Sequence, residues 1–271
     1  MLDNITHLPK LMGIVNGTPD SFYKRSRVDR LTINNKKFEY ADIVDIGFES
    51  SRPGALSLSE KDEISRLEYF LSNYPNFHHN LSIDTYKPKV AKIAIKNGFN
   101  MINDIKGGGN NGEMFEIASL FNCPIVIMHM KGTPATMQKS PYYDSIVDEL
   151  LNYFENKIKL ALNIGLDERR IILDPGIGFG KSVIDNDIII KSIDKFKIFD
   201  FPLMIGVSRK SFLSVEDDSP ENRLPASLGV TALAVQNGVD IIRTHDVKET
   251  YRMLSVTSRI HQTNCNMTYI S

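Results

Sequence analysis

Carboxylates, amides and cations recur in this chain at one kind of place, directly after short apolar runs. In chain order these runs are followed by Asn16, Glu49 to Arg52, Asp84, Asn103 with Asp104, His129, Asp174, Ser208 to Lys210, and Arg243 with His245. Asp84, Asn103 and Asp174 offer carboxylate and amide groups to the N–H edge of a flat heterocycle, much as a carboxylate forks onto a guanidinium. Arg52, Arg243 and His245 form an anion-binding set, and Asn16 is a neutral oxygen ligand suited to Mg2+ held mainly by substrate phosphate and water. Together they imply recognition of an amide-like aromatic ring joined to a phosphate. Lys210 can serve either half, while Arg209 beside it is expected to be a solvated or structural charge. Taken singly, Glu49, Thr85 and Asp104 read as helix caps or turn formers. His129 has no second histidine at a ligand spacing, which disfavours a metal role, and Met128 reads as apolar lining.

The apolar runs occupy residues 11–15, 43–46, 81–83, 101–102, 125–128, 171–173, 203–207 and 241–242, each bounded by turn residues, and read as strands. Helix-length segments lie between most of them, at 60–74, 88–97, 113–121, 145–164, 187–196, 226–236 and 248–259. Ser59 ahead of an acidic first turn and Pro88 at a first-turn position are start signals. Strands that are apolar throughout and alternate with helices must be parallel and covered on both faces, and about eight such units predict a (β/α)8 TIM barrel. No linker divides the sequence, so a single domain over residues 1–271 is expected. In such a barrel all C-terminal strand ends meet at one mouth, which gathers the polar residues from 16 to 245 around one cavity.

Three stretches stand apart. The segment "RLTINNKKFEYA" has poor helical periodicity, "KGGGNNGE" reads as the most flexible connection, and the tail "HQTNCNMTYIS" shows no core pattern. The run "LDPGIGFGK" matches neither GxGxxG nor GxxxxGK[ST], and its glycines are expected to allow close backbone approach that presents Phe179 over the mouth. With 42% hydrophobic and 24% charged residues and a net charge of -1, the 271-residue chain carries no broad electrostatic footprint for nucleic acid or a membrane surface. Its two cysteines, Cys123 and Cys265, lack any framework or ligand spacing and suit a reducing cytoplasm, and no window approaches the length of an apolar membrane span.

The segments "MGIVNGTPDSF", "DIVDIGFESSRPGA", "SIDTYKPKVAKIAIKNGFNMINDI", "VIMHM", "ILDPGIGFGK", "GVSRKSFL" and "IIRTHDV" follow one another in an order that resembles the dihydropteroate synthases of folate biosynthesis. The resemblance implies a dimeric (β/α)8 barrel, a transferase that is a sulfonamide target. Its reaction condenses 6-hydroxymethyl-7,8-dihydropterin diphosphate with p-aminobenzoate, giving 7,8-dihydropteroate and diphosphate with Mg2+. By that likeness Asp84, Asn103, Asp174 and Lys210 hold the pterin ring with Met128 against its face, and Asn16, Arg243 and His245 form the diphosphate and Mg2+ site. Asp20 and Phe22 fall in a mobile first loop, Ser51, Arg52 and Pro53 in a mobile second loop, and Phe179 and Ser208 where the aminobenzoate lies. In the implied mechanism diphosphate leaves first, the arylamine traps the pterin cation, and Asp20 stabilises that cation or anchors the closed loop.

The chain departs from the family pattern where Gly17 replaces a branched apolar residue, Phe48 a second glycine and Ser51 a threonine, and where the first loop runs "FYKRSR". These departures predict reduced precision of the catalytic loops. Rival readings are a pterin-dependent methyltransferase, a Schiff-base aldolase built on Lys210, and a weakened paralogue that binds pterin or pairs with an active partner.

Overall fold

The computed structural model describes residues 8–17, 38–50, 54–73, 79–216 and 219–262. Among them eight strands are parallel: β1 (Lys10–Asn16), β2 (Ile43–Gly47), β3 (Asn80–Asp84), β4 (Met101–Asp104), β5 (Ile125–Met128), β6 (Ile171–Asp174), β7 (Met204–Ile205) and β8 (Ile241–Thr244). They are ordered β6-β5-β4-β3-β2-β1-β8-β7, and a bridge between Leu173 and Leu203 joins the two ends of the sheet. The result is the expected (β/α)8 barrel. Its described helices are α1 (Glu60–Asn73), α2 (Pro88–Lys96), α3 (Glu113–Leu120), α4 (Ile146–Asn163), α5 (Val183–Lys191), α6 (Leu224–Gln236) and α7 (Val247–Gln262).

Strand periodicity explains how this barrel builds a mouth. Met12, Ile43, Met101, Val126, Ile172, Met204 and Ile241 pack together as one buried cluster, separate from the larger core that holds most of the other buried apolar residues. Side chains two residues apart share a face of a strand. Stepping two residues onward from Ile43, Met101, Val126, Ile172 and Ile241 gives Asp45, Asn103, Met128, Asp174 and Arg243. The same alternation that fills the base with apolar groups therefore stacks above it a layer that is polar except for Met128. Register brings the tips level, because Asn16 pairs with Gly47, Gly47 with Asp84, Asp84 with Asn103, and Met128 with Asp174.

Local chemistry moved several expected boundaries. Helix α5 begins at Val183, because Ser182 accepts from Asp185 N (3.1 Å) while the Asp185 carboxylate accepts from Ser182 N (2.8 Å), a reciprocal cap. The expected tail of that helix is instead 3-10 turns over Ile193–Phe199. Strand β7 is reduced to two residues, since the Val207 carbonyl turns to accept from Lys210 N (3.2 Å). The expected flexible connection "KGGGNNGE" is a pinned turn: Asp104 accepts from Lys106 N (2.8 Å) and Gly108 N (2.7 Å), and Lys157 holds the Gly109 carbonyl. Of the doubtful stretch before β2, residues 38–41 form a turn and the preceding ones lie outside the described residues.

Candidate active site at the barrel mouth

Arg243, near the end of β8, is the centre of the mouth. Its Nε donates to Asp45 Oδ2 and its Nη2 to Asp84 Oδ2, both at 2.7 Å. Asn103 donates to the same Asp45 oxygen at 2.9 Å, so β2, β3, β4 and β8 are tied through one guanidinium and two carboxylates. The carboxylate half and the anion half read from the sequence thus interlock rather than stand apart. Burial pushes the Asp84 carboxyl up to about 7, against the pull of Arg243, and Asp45 adds to the rise. Burial works to lower the Arg243 pKa, but Asp45 and Asp84 hold it above the ordinary arginine range.

The opposite wall comes from β6 and β7. Asp174 accepts from Gly176 N at 2.7 Å, and burial raises its pKa while the Lys210 charge lowers it. Lys210 donates to the Ile177 carbonyl and places its ammonium 4.6 Å from the centroid of the Phe179 ring. Burial brings the Lys210 pKa down to about 8, with Asp174 opposing. Ser208 and His245 meet at 3.1 Å, Oγ to Nδ1, and His245 N donates to Ser208 Oγ at 3.2 Å. Asn16 is exposed at the end of β1, and Met128 is buried at the end of β5.

Other expected roles are distributed as follows. Arg209 is structural, with its guanidinium on Asp246 at 2.7 and 2.8 Å. Thr85 accepts from Lys87 N at 3.2 Å, and Glu49 accepts from Leu58 N at 3.0 Å and Tyr86 Oη at 2.9 Å while pairing with Lys87. Both are therefore local organisers, like Asp104. His129 is neutral, its pKa brought by burial down to about 3, and its Nδ1 lies 3.0 Å from Lys181 Nζ. Asp20, Phe22, Ser51, Arg52 and Pro53 lie outside the described residues.

Residues 12–245 match the family model described as "Pterin binding enzyme". The chain is 37% identical over 255 residues to dihydropteroate synthase of Escherichia coli (strain K12), an alignment spanning 92% of this chain and 90% of the relative. The chain belongs to the dihydropteroate synthase family. The Bacillus subtilis (strain 168) dihydropteroate synthase is likewise 37% identical, over 90% of this chain and 85% of the relative. Among solved dihydropteroate synthases, the Xanthomonas albilineans protein with 4-aminobenzoic acid superposes with a TM-score of 0.84 at 32% identity, covering 94% of each chain. The Yersinia pestis dihydropteroate synthase in a sulfonamide drug complex gives 0.82 at 32% identity, covering 94% of this chain and 95% of that one.

Two participants in this synthase-family mouth were missed from the sequence. Asp45 is fully buried and holds both Arg243 and Asn103, and its Oδ1 has no partner among the described residues. A signal existed, since an aspartate inside the apolar strand "IVDIG" requires a buried partner. Lys181 is also buried, and its Nζ reaches His129 Nδ1 (3.0 Å), His129 O (3.2 Å) and Phe179 O (3.1 Å). It ties the loop after β5 to the loop after β6. Nothing in its local sequence announced that role.

Proposed function

We propose that the chain is a transferase that condenses 6-hydroxymethyl-7,8-dihydropterin diphosphate with p-aminobenzoate. The observation that carries this reading is the single rim on which Arg243 joins Asp45 and Asp84, facing Asp174 and Lys210 across the mouth. Asp84, Asn103 and Asp174 accept from and donate to the pterin edge, Lys210 holds its carbonyl side, and Met128 covers a face. Arg243 and His245 receive the diphosphate. Among the described residues the Arg243 Nε and Nη2 are committed to carboxylates, which leaves Nη1 for the anion.

In the reaction the bond between the pterin methylene carbon and the bridging oxygen breaks, and its electron pair leaves with diphosphate. The arylamine nitrogen then donates its lone pair to that carbon and releases a proton to solvent or diphosphate. Preorganised cations stabilise the growing negative charge, while Phe179 and Ser208 orient the aminobenzoate. Asp20 supports the methylene cation, and Phe22, Ser51, Arg52 and Pro53 complete the aminobenzoate side. A neutral arylamine is already nucleophilic, so orientation and charge carry the rate without a strong base.

Mg2+ fits this donor set. Asn16 supplies one neutral oxygen at the mouth, and among the described residues no group of three or more His, Cys, Asp or Glu side chains is placed to cage a cation. That pattern suits an ion carried mainly by diphosphate oxygens and water, and it would supply charge neutralisation on the leaving group.

We also propose a cytoplasmic homodimer. Among the described residues no helix is long and apolar enough to cross a membrane. Leu8, Leu233 and Ile260 are exposed on or beside α6 and α7 and line a hollow of 240 Å³ that a second copy would cover. Incubating the protein with the pterin diphosphate, p-aminobenzoate and Mg2+ tests the activity. Equimolar diphosphate and dihydropteroate are expected, with loss in Lys210→Ala and Asp174→Asn; methyl transfer from a methylated pterin without diphosphate release would replace the reading with a methyltransferase.

A further inference from the structure

Gly17 and Phe48, two of the departures expected to loosen the catalytic loops, meet each other. A Cβ built on Gly17 would lie 2.6 Å from Phe48 Cδ1 and 2.7 Å from Cε1, distances that real carbon contacts do not reach. Gly17 does not occupy the left-handed backbone region, so glycine is required there by space and not by conformation. The Phe48 ring is fully buried and packs edge-on against Phe70, with centroids 5.6 Å apart, and Phe70 packs on Phe99 at 6.2 Å. Its carbonyl accepts from Arg66 Nη1 at 2.7 Å, so neither ring nor backbone has room to retreat.

This contact adjoins two groups of the mouth. Gly17 follows Asn16, and its N–H donates to the Gly47 carbonyl at 2.6 Å, joining the tips of β1 and β2. Gly47 precedes Phe48 and is so close to β3 that a Cβ on it would lie 3.3 Å from Asp84 Oδ2. The aromatic column Phe99, Phe70, Phe48 therefore ends on the backbone that spaces Asn16 from Asp84. We propose that Phe48 is a positioning residue for the pterin diphosphate, its ring seated in the space left by Gly17 and setting the separation between the anion side and the ring-binding side of the mouth. The inference rests on the assignment of Asn16 and Asp84 to that substrate.

A double-substitution cycle tests it, using Gly17→Val, Phe48→Ala and the pair. Each single variant is expected to raise KM for the pterin diphosphate roughly tenfold, while KM for p-aminobenzoate stays within about threefold, because Phe179 and Ser208 lie on the opposite wall. The double variant is expected to recover much of that loss, since the valine refills the space that the ring vacates; contacting residues are non-additive in this way. Gly17→Ala and Phe48→Leu repeat the comparison should a harsher variant fail to fold, each with a smaller expected rise of about threefold in the pterin KM and with recovery in the pair. Melting temperatures of all variants read the same coupling without turnover. Singles that add independently in both KM and melting temperature, or equal rises in the two KM values, would overturn the inference. Absence of turnover in the unmodified protein would instead refute the assigned reaction, and the melting-temperature cycle would still report the contact.

Discussion

Two glycines with nearly the same backbone conformation offer a controlled test of how the mouth is built. Gly176 has φ +68° and Gly109 φ +67°, so alanine at either position carries the same left-handed penalty of about 1–2 kcal/mol. The unfolded-state effect of adding a methyl is also common to both and cancels. Their surroundings differ. A Cβ on Gly109 meets nothing within 4 Å, whereas one on Gly176 would lie 2.0 Å from the His129 carbonyl oxygen, which is backbone and cannot rotate away. Forcing that approach apart adds an overpacking cost of roughly 1–3 kcal/mol. Gly176→Ala should therefore lose about 1–3 kcal/mol more stability than Gly109→Ala. At roughly 2–4 °C per kcal/mol for a chain of this size, thermal melts followed by circular dichroism resolve the difference. Function should diverge as well, because Gly176 N holds the Asp174 carboxylate at 2.7 Å. Pterin affinity should fall in Gly176→Ala and remain unchanged in Gly109→Ala. Equal losses in the two variants would refute the claim that close approach of the β5 and β6 loops holds this wall.

Arg243→Met removes the cation that, among the described residues, bridges buried Asp45 and partly buried Asp84, and should destabilise the fold by about 3–5 kcal/mol, read as a lower urea midpoint. Arg243→Met combined with Asp45→Asn should recover part of that loss. Activity should depend on pH as a bell: Asp84, raised to about 7, gains its ionised acceptor form as pH rises, and Lys210, lowered to about 8, loses its ammonium above that value. In kcat/KM against pH, Asp84→Asn should remove the acidic limb and leave the alkaline one. Arg209→Ala breaks a partly exposed pair with Asp246 and should cost no more than about 1 kcal/mol with kcat unchanged; a large loss of kcat would contradict its structural assignment.

Much of this protein was determined by local sequence. Apolar runs of strand length alternating with capped helical segments dictate parallel strands with crossover helices, and a barrel then places every C-terminal strand end at one rim. Asn16, Asp84, Asn103, Asp174, Lys210, Arg243 and His245 were legible because each stands at the end of such a run, where a charge or amide has no place in an apolar layer. Local signals failed where a partner came from far along the chain. Asp45 and Arg243 are 198 residues apart, and Lys181 and His129 are 52 apart, so no window of sequence contains either pair. The glycines of "KGGGNNGE" suggested freedom, yet distant Tyr153 fills the space beside Gly107, Phe115 of the following helix fills that beside Gly108, and distant Lys157 holds the Gly109 carbonyl. Gly17 and Phe48 looked like separate departures until the β1 and β2 tips were seen packed together. Identity of residues is written locally, whereas shared burial and the sharing of one counter-ion by several strands exist only after the barrel closes.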